Sequence, residues 1–131
     1  MEKGKSEIMA VSFQDIIGNF DFTDSVVTEV RWSDNLMDLI VNVDYYWDIQ
    51  DGHDTTRILK IIFEGCQKVD FQISGEIPLC LDSVNKESLF TIVLFKELTG
   101  SSGEQQHLGI FTADYSKPWL SVVCTNVKLK E

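Results

Sequence analysis

Asp44, Asp48, Asp51 and Asp54 stand three or four residues apart in the stretch DYYWDIQDGHD. Carboxylates at that density could hold a hard cation, move protons, or attract a positively charged surface. A calcium loop of the EF-hand kind needs oxygen ligands at its first, third and twelfth positions around a glycine at the sixth. With Gly52 sixth, those positions hold Trp47, Ile49 and Ile58, and none is a ligand. Asp48, Asp51 and Asp54 could still suit a looser cation site, but a solvated polar hairpin tip is the simpler account, and no metal or cofactor is expected. Acid–base catalysis by a carboxylate pair needs one member raised in pKa by burial and the other kept ionised. Asp38 and Asp44 have no obvious cause for such a split.

Nucleophilic chemistry finds no better footing. His53 and His107 have no sequence tie to Cys66, Cys80 or Cys124, and a working pair needs a third group to orient the base. The chain carries no G-x-G-x-x-G, phosphate-binding loop, G-x-S-x-G or H-E-x-x-H pattern. Three cysteines without paired spacing make neither a disulfide framework nor a zinc site, and they read as free thiols in a reducing cytoplasm.

The charge distribution says more. Twelve of the 21 acidic residues fall within the first 54 positions, against three basic ones, while the remainder is almost neutral. That acidic half also contains Trp32, Trp47 and a run of alternating apolar residues, so it reads as folded surface and not as a solvated tail. A negative surface favours a basic protein partner and repels nucleic acid and anionic membrane. No stretch approaches the ~20 apolar residues of a membrane span, and no apolar signal core precedes Asp15, so a cytoplasmic location is expected.

The elements that must position these groups are mostly strands. Residues 1–11 read as a flexible leader and 12–131 as a single β-rich domain. Ser12 and Asp15 resemble a capping box, and Phe13, Ile16, Ile17 and Phe20 fit one face of a short helix that ends at Gly18–Asn19. From Ser25 the period becomes two. Val26, Thr28, Val30 and Trp32 are expected on one face, with Val27, Glu29 and Arg31 on the other. The clearest pattern is Leu39, Val41, Val43, Tyr45 and Trp47 alternating with Asp38, Ile40, Asn42, Asp44, Tyr46 and Asp48. The first set must face the core. Asp38, Asn42, Asp44 and Asp48 are then expected to line the opposite face at about 6–7 Å per two-residue step. Trp32 and Trp47 are expected in the core. Tyr46, outward among carboxylates, is either an interface anchor or lies under the helix. Arg57 to Glu64 reads as a central strand buried on both faces. Further strands are expected over 68–74, 89–98, 107–112 and 119–129. The sum is an antiparallel β-sandwich or partly open barrel of about seven strands with one short N-terminal helix.

Asp24–Ser25, then Val26, Val30 and Trp32, then Leu39-x-Val41-x-Val43–Asp44 with Trp47, then Ile62–Phe63-x-Gly65–Cys66-x-x-Val69 resembles a group of small bacterial proteins. That group includes immunity proteins of polymorphic toxin loci, the immunity-protein-50-like and related types, and the resemblance spans roughly residues 20–75. It implies a cytoplasmic, non-catalytic protein that binds and neutralises a cognate toxin domain. It supplies no residue-level binding motif. From charge and alternation alone, the expected partner-binding residues are Asp38, Asp44, Tyr46, Asp48, Asp51 and Asp54. The alternative is a small β-barrel ligand-binding protein or hydrolase with an interior polar site.

Overall fold

The computed structural model describes residues 8–34, 36–46, 52, 54–71, 91–98, 105–112 and 118–131. In chain order the elements are β1 (Ile8–Ala10), α1 (Phe13–Asn19), β2 (Val26–Trp32), β3 (Leu39–Asp44), β4 (Ile58–Glu64), β5 (Lys68–Phe71), β6 (Leu94–Glu97), β7 (Gln106–Phe111), β8 (Leu120–Cys124) and β9 (Asn126–Lys130). They build two antiparallel sheets, one in the order β1-β9-β4-β3-β2 and the other β5-β8-β7-β6. Their inner faces share one apolar core, which is the sandwich. The sheets do not close into a barrel.

The strand count exceeds the expected seven for two local reasons. Ile8–Ala10, assigned to the leader, instead pairs with β9 and buries Ala10. The expected last strand is two strands, broken at Thr125, which lets the chain change sheets.

That break is half of a corner. β4 pairs with β9 in the larger sheet, and β5 pairs with β8 in the smaller. One long antiparallel ribbon therefore runs through both sheets and bends at Gly65–Gln67 and Thr125. Gly65 takes φ +61°, a left-handed conformation that costs a side-chain-bearing residue energy. A second seam joins the far edges, where the Ile92 N–H donates to the Ser25 carbonyl at 2.7 Å and the Asp24 N–H donates to the Ile92 carbonyl at 2.8 Å.

The alternation in β3 appears as read. Leu39, Val41 and Val43 are buried, and Tyr45 follows them inward. In β4, Leu59, Ile61 and Phe63 face the core, but Ile58 is 44% exposed and Ile62 half-buried. The expected burial on both faces is thus corrected: β4 is central in its sheet, yet no second layer among the described residues covers its outer face.

Strand β2 departs from its expected register. A bulge between Val27 and Glu29 inserts one residue, so Val27, and not Val26 or Thr28, stands opposite buried Val43. Trp32 lies on the core side, opposite Leu39, but β2 is an edge strand and Trp32 remains 41% exposed. It is not the core residue expected. Trp47 lies outside the described residues.

The helix begins as its sequence suggests. The Asp15 N–H donates to Ser12 Oγ at 3.1 Å, and the Val11 N–H donates back to Asp15 Oδ2 at 3.0 Å. Phe13 and Ile16 enter the core, whereas Ile17, on the margin of the apolar stripe, stays 46% exposed. Phe95 gathers Phe13, Phe22 and Phe63 around it in edge-to-face contacts, which ties the helix to both sheets.

Candidate functional site

The structure separates the expected site residues. Asp38 and Asp44 flank β3 at opposite ends, about 20 Å apart at the rise of a strand. The outer face between them carries Ile40 and Asn42, and the next strands set Lys60 opposite Asn42 and Lys130 opposite Lys60. Lys128 lies beside them and pairs with Glu64 at 3.0 Å. The anticipated continuous acidic face therefore does not form; lysines and isoleucines fill the middle of the sheet. This charge pattern was hidden in the sequence because strands distant in the chain supply the lysines.

Asp38 has a structural task at its end. Its Oδ1 accepts the Gly65 N–H at 3.0 Å, while the Asp38 N–H donates to Ser33 Oγ at 3.2 Å. It holds the hairpin turn against the sheet corner.

At the other end, acidic groups do converge. Asp44, which ends β3, lies opposite Val26 on β2 and opposite Ile58 on β4. Its Oδ1 accepts the Thr56 hydroxyl. Tyr46 is 38% exposed, with its backbone N–H donating to Ser25 Oγ at 2.9 Å. The helix packs on β9 and β1, and Tyr46 stays partly open to solvent. Asp54 is exposed on the return towards β4. Asp48 and Asp51 lie outside the described residues, as does the cation site that would have joined them to Asp54. Among the described residues no group of three or more His, Cys, Asp or Glu could hold a metal ion.

Two further carboxylates belong to this end and were not anticipated. Buried Tyr45 extends its hydroxyl to accept the Asp21 N–H at 3.2 Å, with its ring packed edge-on against Phe20 and Phe22. That contact pins the loop carrying Asp21 and Asp24 to the end of β3. Asp21 Oδ1 also accepts the Thr23 N–H at 2.9 Å, and Asp24 adopts φ 73°. Aspartate tolerates that conformation better than most residues because its short side chain bonds locally. Asp21-x-Thr23 in front of a strand was the available sequence signal. Asp21, Asp24 and Asp44 thus belong to the same end of the sheet as Tyr46, and exposed Asp54 lies on the return to β4, with Arg57 5.9 Å from the centre of the Tyr45 ring.

The thiols suit a core role. Cys124 is fully buried, and desolvation pushes its thiol up to about 12, with nearby Cys66 adding to the rise. Burial likewise raises Cys66, whose Sγ–H donates to the Phe63 carbonyl at 3.2 Å. Both stay protonated at neutral pH, which makes them poor nucleophiles. Cys80 and His53 lie outside the described residues. Among the described residues the buried polar ones are Ser25 and Thr112, and Ser25 is engaged in joining the two seams of the acidic end. None of the described helices is long and apolar enough to cross a membrane. Comparison with protein-family models, curated proteins and solved structures gives no match.

Proposed function

We propose that the chain is a non-catalytic binding protein that takes a basic protein partner on the acidic end of its larger sheet. On the resemblance of residues 20–75, the partner is a toxin domain that it neutralises in the cytoplasm. The observation that supports the reading is that Asp21, Asp24, Asp44 and Asp54 all belong to the end of the larger sheet that carries exposed Tyr46. Such an arrangement steers a cationic surface by its field and offers an exposed aromatic anchor on the same sheet end. A net charge of −10 works in the same direction and disfavours nucleic acid.

The test is co-expression with toxin-domain candidates taken from the genes neighbouring this one, followed by stopped-flow association of the purified pair at low and physiological salt. Protection of growth is expected. Replacing Asp21, Asp24, Asp44 and Asp54 together with Asn should slow association about tenfold or more at low salt, and the difference should shrink as salt is added. Asn keeps the oxygen that accepts the Thr56 hydroxyl, so folding is preserved. An unchanged association rate, or failure to protect, would sink the proposal.

A further inference from the structure

Strand β2 closes one edge of the five-stranded sheet, and beyond the bridge from Val26 to Thr91 it has no neighbour among the described residues. The Ser33 N–H donates to the Asp38 carbonyl at 2.8 Å, so Ser33 and, by alternation, Arg31 direct their backbone groups towards β3. Val30 and Trp32 therefore turn their N–H and C=O groups to the open edge. Thr28, Glu29, Arg31 and Trp32 are exposed along it. Proteins usually protect such an edge with lysine, proline or a covering segment. Among the described residues the protection here is the bulge at Val27–Glu29, at the end away from Trp32.

The sequence of this edge is complementary to itself. A two-fold axis through Val30 sets Glu29 of one copy opposite Arg31 of the other, twice, on the outer face. It also sets Val30 against Val30 and brings Trp32 to the partner's bulge at Thr28. Shifting the axis to Glu29 or to Arg31 brings like charges face to face, which is unfavourable. Arg31 has no ion pair among the described residues, and Glu29 is held in place by Asn42 Nδ2, which donates to its Oε1 at 2.9 Å. We propose that β2 pairs antiparallel with β2 of a second copy of this chain, in the register centred on Val30. The joined sheets then run continuously through the pair, with Trp32 of each copy covered at the ends of the seam.

One strand and its flanks bury less than the roughly 1,000 Å² of a standard interface, so the dimer forms reversibly and depends on concentration. Sedimentation velocity on the full chain from about 10 μM to about 1 mM should show the monomer giving way to dimer. Glu29→Arg and Arg31→Glu each place like charges across the axis and should hold the chain monomeric over that range. An equimolar mixture of those two variants should regain the dimer, because each then meets its opposite, and so should the chain carrying both exchanges. Circular dichroism confirms that each variant is folded, as changes at exposed positions allow. A wild-type chain that stays monomeric throughout overturns the proposal. So does a dimer that survives both single exchanges, or a mixture that fails to pair.

Discussion

Gly65→Ala tests the corner on which the two sheets meet. A Cβ built on Gly65 would lie 2.7 Å from Thr125 Oγ1 and 3.3 Å from Thr125 Cγ2. The residue would also have to keep φ +61°, which costs about 1–2 kcal/mol once a Cβ is present. Thr125 is exposed and could swing aside, but its Oγ1–H donates to the Glu64 carbonyl at 3.0 Å, so moving it gives up a bond worth about 1 kcal/mol. A stiffer unfolded chain returns somewhat less than 1 kcal/mol. The net loss should be about 2 kcal/mol, a large share of the total for a domain of this size. In a Thr125→Ala background the clash is gone and the hydroxyl bond already lost, so Gly65→Ala should cost only about 1 kcal/mol there. Urea titrations followed by tryptophan fluorescence give all four free energies of the cycle, provided the slopes agree. Two results would refute the reasoning: a single variant within about 0.5 kcal/mol of wild type, or an equal cost in both backgrounds.

Val43 has no solvent exposure and stands between Val27 and Leu59 on neighbouring strands, so Val43→Asp buries an unpaired carboxylate and should abolish the cooperative melt seen by circular dichroism. A native-like melt would show that β3 is registered otherwise. Cys124 titrates near 9.0 when solvated and at about 12 in the fold, so between those values the unfolded chain holds fewer protons than the native one. Stability should therefore fall as pH rises through that window, by about 1.4 kcal/mol per unit from this group. Urea midpoints at pH 8 and pH 10.5 check it, with Cys124→Ala expected to show the smaller drop.

The fold was readable wherever burial imposes a strict period. Leu39, Val41, Val43 and Tyr45 alternate because one face of β3 is core, and the Ser12–Asp15 cap marked the helix start through local hydrogen bonding alone. Reading failed where the period is interrupted. One inserted residue in β2 exchanged the inward roles of Val26 and Val27. Trp32 kept its face yet lost its burial, because the position of a strand within its sheet is a property of topology, not of its own residues. The same limit applied to the site. Alternation correctly put Asp44 outward, but it could not reveal that Asp38 is occupied by the Gly65 N–H, 27 positions away in the chain. Nor could it place Lys60, Lys128 and Lys130 across the middle of the same face. Asp21 joins the acidic end through Tyr45, a contact spanning 24 positions.

The acidic end and the β2 edge place compatible demands on one sheet. The carboxylates gather around Val26 and Asp44, about 10 Å along the sheet from a two-fold axis at Val30, since the bulge lets Val26–Val30 span three steps of β3. Antiparallel pairing sends the two clusters in opposite directions, so they stand about 20 Å apart along the seam. That is more than twice the ~8 Å screening length at physiological salt, so the two clusters do not merge into one field. Each cluster instead acts for its own chain, and pairing at the edge leaves both Tyr46 rings open. What brings the copies together is therefore the local match of Glu29 with Arg31 at the centre of the seam, and added salt should relieve the repulsion where exposed Asp34 of one copy falls opposite Val26 of the other.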